Sequence, residues 1–229
     1  MKKLCVILVG VIMLSSFSIL KTNADYVAAV KVAQADFDQL TSAFQAAYPN
    51  ATLGGNFTKS DVVKLLNSMP DAAQFVNFRF CKDPDLGKTS LALCGAKSAD
   101  QPDSEIKCAR NGGNPTAFCP TACNLVSPAG SNSMAITKAQ YDDLSATFQA
   151  AYPNRTAGGN IDKAALLDIA NSLPADNANI AFRFFKDASS GKVGVIFVGG
   201  AVNQGNNGTL YLRNGATVES FCPNNCNRN

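Results

Sequence analysis

The sequence predicts an α+β protein built as a tandem duplication of an α-α-β-β-β unit, in which two helices pack on one face of a small antiparallel sheet. Two observations predict this architecture. In each half of the chain, segments with apolar residues at helical spacing precede segments in which apolar residues alternate. The two halves also share stretches of identical sequence at a nearly constant separation.

The internal repeat is clearest in the heptapeptide from Phe44 to Asn50, which recurs 104 positions later from Phe148 to Asn154. Near the end of each half the offset becomes 103, which indicates one residue of slippage. Between the copies, residues 127–133 have the Ser, Gly and Pro composition of a linker. We therefore predict a signal peptide over 1–24, a first α+β repeat over 25–124, a linker over 125–133 and a second α+β repeat over 134–229.

The elements of one copy follow from its periodicity. Phe37, Leu40 and Phe44 lie at helical spacing, and Pro49 ends this first helix because proline disfavours the α conformation at the preceding residue. A second helix is expected to begin at Thr58, whose hydroxyl can cap a free backbone amide.

The strands follow in a hairpin whose register can be predicted. Phe80 is expected to face Leu91 and Phe78 to face Leu93, which makes one face of the sheet apolar. In the second copy, residues 209–212 are predicted to supply a third strand.

The N-terminus has the features of a secretory signal peptide. Lys2 and Lys3 precede an apolar run over residues 4–20, and Ala24 offers a small residue at a plausible cleavage point. A retained membrane anchor is the alternative, because the run reaches the lower length limit for spanning a bilayer. We expect cleavage, a secreted, periplasmic or cell-surface protein, and no membrane span in the mature chain.

Composition excludes several function classes. The chain has no histidine, which rules out mechanisms and metal sites that need an imidazole. Removing residues 1–24 takes away three lysines and no acid, leaving 17 basic and 17 acidic residues. Nucleic-acid binding relies on basic surfaces, so we expect no nucleic-acid partner. No cofactor and no metal site are predicted.

Cysteine spacing predicts disulfides in an exported protein. Cys119 and Cys123, like Cys222 and Cys226, are four residues apart, which brings their α-carbons within disulfide range on a helical turn. The same four thiols could hold one zinc ion between the two copies, a less favoured alternative because zinc sites commonly use a two-residue spacing.

The other mature cysteines occur only in the first copy. Cys94 and Cys108 are expected on successive strands and are predicted to form a disulfide. Cys81 is then left over, either buried as a small apolar residue or available for a bridge that makes a dimer.

The loops that follow the first helix of each copy are the most closely matched polar segments. Tyrosine for stacking and asparagine for hydrogen bonds would suit a sugar ligand. The structural interpretation is favoured, because Pro, Gly-Gly and Asn each already have a role in a turn. An arginine of the Phe-Arg-Phe strand is predicted on the sheet face away from the helices, either free for a ligand or ion-paired with Asp83 or Asp187. The candidate ligand residues are Tyr48, Asn50, Asn56, Arg79, Tyr152, Asn154, Asn160 and Arg183.

These features favour an exported, non-enzymatic tandem interaction module whose ligand is an unknown protein or glycan. Two linked copies can engage two sites with an enhanced effective concentration. The alternatives are a carbohydrate-binding protein that uses the tyrosine-asparagine loops, and a glycoside hydrolase that uses Asp61, Asp83 or Asp187.

The Phe-x-Phe hairpin and the terminal Cys-Pro-x-x-Cys pair of each copy resemble small, uncharacterised, exported bacterial α+β proteins. The resemblance covers residues 37–123 and 141–226. It implies a shared fold and carries no activity.

Overall fold

A computed structural model describes residues 29–95, 102–112, 118, 133–173, 178–199 and 210–214. Within these residues the protein is α+β, with four α-helices and two antiparallel sheets of five strands each. The predicted signal peptide, the pairs Cys119–Cys123 and Cys222–Cys226, and the predicted linker as far as residue 132 lie outside the described residues.

The first half contains five strands and two helices, in the order β1-α1-β2-α2-β3-β4-β5. A short 3-10 turn over Asp103–Glu105 precedes β5. The elements are β1 (Ala29–Lys31), α1 (Gln34–Ala47), β2 (Gly54–Thr58), α2 (Lys59–Asn67), β3 (Phe75–Lys82), β4 (Thr89–Cys94) and β5 (Cys108–Asn111).

The second half repeats this order of elements. They are β6 (Ser133–Ile136), α3 (Lys138–Ala151), β7 (Gly158–Asp162), α4 (Lys163–Ser172), β8 (Asn179–Lys186), β9 (Val193–Gly199) and β10 (Leu210–Asn214). The sequence therefore predicted three of the five strands of each half and missed the two short strands that flank the first helix.

The two halves exchange strands. One sheet has the order β1-β10-β9-β8-β2, so β1 and β2 of the first half flank three strands of the second. The other sheet, β6-β5-β4-β3-β7, has the reciprocal composition. The registers match as well, because Gly54 lies opposite Arg183 and Gly158 lies opposite Arg79. Neither sheet is complete without strands from both halves.

The Gly-Gly-Asn segments, expected to form turns, instead form the start of β2 and β7. The strands approach so closely that a Cβ built at Gly54 would overlap the carbonyl oxygen of Phe182, and one at Gly158 would overlap that of Phe78. Only glycine permits this approach, so the glycines that resembled turn residues allow close strand pairing.

The predicted hairpin register is confirmed. Phe78 lies opposite Leu93 and Phe80 lies opposite Leu91. In the second half, Phe182 lies opposite Phe197. These side chains are buried in one central core that also contains residues of α2 and α4.

The helices do not share one face of each sheet. The outer face of the β8–β10 sheet packs against Phe37 and Leu40 of α1, and the outer face of the β3–β5 sheet packs against Tyr141 of α3. Helices α2 and α4 lie on the inner side and contribute to the central core. The expectation of two helices on one sheet face was wrong because strand exchange carries α1 and α3 to the far side of the partner sheet.

The helix ends follow local sequence signals. Helices α1 and α3 end one residue before Tyr48 and Tyr152, as the following prolines predict. Thr58 occupies the N-cap position of α2 but makes no side-chain capping bond, so that part of the prediction was wrong. Its backbone N–H donates to Ser133 Oγ in β6 instead. No helix in the described part of the chain is both long and apolar enough to span a bilayer.

Cys81, Cys94 and Cys108 lie on the outer face of the β3–β5 sheet. Cys94 and Cys108 are opposite one another on β4 and β5 and form a disulfide, as predicted. Cys81 is a fully buried free thiol, and burial raises its pKa to about 12. The predicted alternative in which Cys81 is buried as a small apolar residue is therefore confirmed, and a dimer through this sulfur would first require its exposure.

Candidate functional site

Six aromatic rings, three from each half, form a continuous chain of contacts at one end of the central core. Phe80 of β3 and Phe184 of β8 are at its centre, with ring centroids 5.4 Å apart. Phe184 contacts Phe44 of α1, and Phe80 contacts Phe148 of α3. The chain ends in Tyr48 on one side and Tyr152 on the other, each 5.0 Å from the phenylalanine of its own helix.

Arg155 bridges the two ends of this aromatic chain. Its guanidinium carbon lies 4.4 Å from the ring centroid of Tyr152 and 5.3 Å from that of Tyr48. The turn after α3 positions it, since the Arg155 backbone N–H donates to the Tyr152 carbonyl at 3.0 Å. The tyrosines of the two predicted loops therefore meet at a single place, with one cation between them.

A small cavity of about 30 Å³ lies inside the arc of aromatic rings. Its walls are mostly apolar, and it reaches the surface beside exposed Arg155. That volume accommodates about one water molecule or one methyl group. The lining residues beyond the aromatic chain are Ala51, Thr89, Arg155, Thr156 and Val193.

A second cation joins the site from the end of β8. The Nζ of Lys186 lies 5.7 Å from the ring centroid of Tyr48. In the described part of the chain, neither Arg155 nor Lys186 forms an ion pair with a carboxylate. Two tyrosine rings and two cations thus form an electropositive surface, which we call the Tyr-Arg cleft (Tyr48, Tyr152, Arg155 and Lys186).

The other candidate ligand residues fall into two groups. Asn50 and Asn154 are exposed, two residues beyond the tyrosines. Asn56 and Asn160 are only 4% and 2% exposed and belong to β2 and β7. Their amides are therefore inside the protein and are not available to a surface ligand.

Arg79 and Arg183 lie on the sheet faces that α3 and α1 cover, so their predicted position away from the helices was wrong. Both are half-buried. Desolvation lowers the pKa of Arg183 to about 10, which leaves it charged at neutral pH. We find neither arginine among the residues that form the Tyr-Arg cleft.

The aspartates considered for catalysis have structural partners. Arg110 donates to Asp83 Oδ2 at 2.6 Å, and both side chains are almost fully buried. Asp83 Oδ1 also accepts the backbone N–H groups of residues 85 and 86, which fixes the β3–β4 turn. Asp61 accepts a hydrogen bond from Ser133 at 2.5 Å, linking α2 to β6.

Asp187 repeats this arrangement in the second half. Its Oδ2 lies 3.4 Å from Arg213, and its Oδ1 accepts bonds from Ser189 and Ser190. Burial opposes ionisation, but these hydrogen bonds and the charge of Arg213 outweigh it and lower the pKa of Asp187. The general acid of a glycosidase needs a raised pKa, so that it carries a proton at the working pH.

Sequence reasoning missed Arg155 and Lys186. The signal for Arg155 is a difference within the repeat, because Ala51 occupies the equivalent position in an otherwise similar loop. Lys186 has an equivalent in Lys82, so only its contact with Tyr48 distinguishes it. Both residues become functional candidates only once strand exchange brings the two loops together.

Comparison with protein-family models, curated proteins and solved structures finds no match to this chain.

Proposed function

We propose that the protein is an exported, non-enzymatic binding protein, derived by tandem duplication, whose ligand surface is the Tyr-Arg cleft. One observation carries the proposal. Tyr48 of the first half and Tyr152 of the second both lie within 6 Å of the Arg155 guanidinium carbon, above a small cavity that reaches the surface. The site is composite, because neither half alone contains both rings and the cation.

This geometry favours one shared site over two independent sites. The equivalent loops come together at the cleft, and the position equivalent to Arg155 in the first half is Ala51. Duplication then supplies two similar walls, while the difference between the copies supplies a single charge. A gain in affinity from two separate sites is not needed to explain why the chain carries two copies.

A protein ligand is favoured over a stacked sugar. A sugar would need an open tyrosine face, but each tyrosine contacts a phenylalanine and the Arg155 guanidinium. The hydrolase alternative is weakened because Asp83 and Asp187 are engaged by arginines and turn amides. What remains exposed is a charged cleft with small polar residues beside it, which suits recognition more than chemistry.

Photo-crosslinking in the native exported fraction tests this proposal. A benzophenone amino acid is placed at exposed Asn154, beside the cleft, and separately at exposed Asp71, which precedes β3 at the opposite end of the sheet from Phe80. We expect one dominant protein adduct from position 154, its loss in the Arg155→Gln background, and its absence from position 71. Identical adducts from both positions, or no adduct from position 154, would contradict the proposed site.

A further inference from the structure

We infer that the Tyr-Arg cleft recognises an acidic peptide segment, with carboxylates bound by Arg155 and Lys186 and a small apolar side chain in the cavity between the aromatic rings. This inference rests on the proposed function and specifies the chemistry of the ligand.

The charges of the cleft favour an anionic ligand. Three basic side chains of the described residues have acidic partners, as Arg110 has Asp83, Arg213 has Asp187 and Lys138 has Asp142. Arg155 and Lys186 have ring contacts instead, and no ion pair within the described residues. Two cations beside the same tyrosine repel one another, and an anionic ligand relieves that repulsion.

The arrangement of Arg155 and Lys186 around the tyrosine rings suits carboxylate groups. A guanidinium that stacks on a tyrosine keeps its N–H groups in its own plane, where they can donate to a carboxylate in a bidentate arrangement. Arg155 is exposed and held by two rings, so little conformational entropy is lost when it binds an anion. Lys186 approaches Tyr48 from β8 and supplies a second point charge.

The apolar cavity favours a peptide over an acidic polysaccharide. The cavity beside Arg155 is walled mainly by phenylalanine rings and has room for about a methyl group. A peptide places a methyl-bearing side chain next to a carboxylate in a single dipeptide, whereas a uronic acid polymer presents hydroxyl groups there. An apolar pocket leaves such hydroxyls without hydrogen-bond partners, which is costly.

The test uses the full mature chain and an array of octapeptides that combine Glu or Asp with Ala, Val and Ser. Each acidic peptide has a counterpart with Gln or Asn in place of the acids. We expect the best acidic peptides to bind at least tenfold more tightly than their amide counterparts, measured by fluorescence anisotropy in solution. Arg155→Gln and Lys186→Gln should each weaken that binding at least fivefold.

The duplication provides a matched control. Lys82 is the exposed equivalent of Lys186 in the first half and is not part of the cleft, so Lys82→Gln should change affinity by less than twofold. Thermal unfolding of every variant verifies that the fold is intact. Equal binding of acidic and amide peptides, no binding by any acidic peptide, or an equal loss in Lys82→Gln would overturn the inference.

Three further outcomes distinguish the failure of this inference from the failure of the proposed function. Tighter binding of polygalacturonate than of every acidic peptide would overturn the peptide assignment. A partner crosslinked at position 154 together with no preference for acidic peptides would refute this inference while leaving the proposed function in place. If position 154 crosslinks to no partner and no acidic peptide is preferred, the proposed function itself is refuted.

Discussion

The outer faces of the two sheets carry different side chains on the same arrangement of strands and helices. In the first half the three strands present cysteines, and the Tyr141 ring of α3 is almost completely buried against them at 2% exposure. In the second half larger residues occupy the equivalent positions, and Phe37 of α1 stays half-exposed. The equivalent pairs are Cys81 and Phe185, Cys94 and Val198, and Cys108 and Tyr211.

The comparison shows that the layer between sheet and helix must be filled, but either side can fill it. Small cysteines leave space for the ring of Tyr141, whereas Phe185 and Tyr211 fill that space from the sheet and keep Phe37 further out. The first half adds a covalent link between β4 and β5.

The largest difference in stability is expected between alanine variants of Phe185 and of its counterpart Cys81. Both side chains are fully buried, but they differ greatly in size. Phe185→Ala should lower the free energy of unfolding by about 3–5 kcal/mol, and Cys81→Ala by about 1 kcal/mol. Chemical denaturation measures both. Equal losses of stability in the two variants would contradict the view that Phe185 fills its outer layer from the sheet and Cys81 does not.

The two ion pairs at equivalent positions should differ almost as strongly in their contribution to stability. The Asp83–Arg110 pair is nearly buried and 2.6 Å long, while the Asp187–Arg213 pair is 3.4 Å long and more exposed. Asp83→Asn leaves Arg110 buried without its carboxylate and should cost about 3–5 kcal/mol of stability. Asp187→Asn should cost less, about 2 kcal/mol, because this pair is longer and less buried, although the change also weakens the hydrogen bonds from Ser189 and Ser190. A reversed order in denaturant titrations would contradict this distinction.

The Asp187 pair also predicts a pH dependence. The pKa of Asp187 is lower in the folded state than in the unfolded state, where it is about 4. Its carboxylate therefore stabilises the fold fully above about pH 4. This stabilisation is lost as the pH falls through the folded-state pKa. The difference in Tm between the native protein and Asp187→Asn should therefore shrink from pH 6 to pH 2.5. A constant difference would assign the stabilisation to something other than ionisation.

The disulfide gives an intermediate loss of stability, and the equivalent positions in the second half, Val198 and Tyr211, cannot form one. Cys94 and Cys108 are 14 residues apart, and closing a loop of about this length contributes about 3 kcal/mol. Cys94→Ala combined with Cys108→Ala should lose about that much under non-reducing conditions. Val198→Ala in the second half is the control for lost side-chain volume. If the double cysteine variant loses no more stability than Val198→Ala does, the crosslink does not stabilise the fold.

The smallest effect concerns the hydroxyl of Tyr141. It is buried without a hydrogen-bond partner in the described part of the structure, and burial raises its pKa. Tyr141→Phe removes an unsatisfied polar atom and should raise the free energy of unfolding by about 1 kcal/mol. Tyr211, in the outer layer of the other sheet, is the control, because its hydroxyl is not among the buried unsatisfied atoms and Tyr211→Phe should be nearly neutral. Destabilisation by Tyr141→Phe would reveal a partner for the hydroxyl.

Much of the local structure was predictable from the sequence. The prolines predicted where α1 and α3 end. The alternation of apolar residues predicted that Phe78 pairs with Leu93, and the order of the strands predicted the disulfide between Cys94 and Cys108. Each of these depends on residues that are close in sequence, where periodicity and turn chemistry carry the information.

The exchange of strands was not predictable by the same reasoning. Because Arg79 and Arg183 have equivalent neighbours, Gly54 could pair with either one and bury the same side chains. The short, glycine-rich β2 and β7 also lack the alternation that identifies strands. The Tyr-Arg cleft depends on this exchange, so the tyrosines were predicted as candidates and Arg155 and Lys186 were not.

Strand exchange is the central claim, and an engineered disulfide tests it most directly. Thr58 of β2 lies opposite Asn179 of β8, whereas pairing within the first half would place it opposite Phe75, the residue equivalent to Asn179. We predict that Thr58→Cys with Asn179→Cys forms a disulfide that keeps the halves covalently joined after proteolysis between residues 125 and 132. Crosslinking of Thr58→Cys with Phe75→Cys, and none with Asn179→Cys, would contradict the exchanged fold and the composite site built on it.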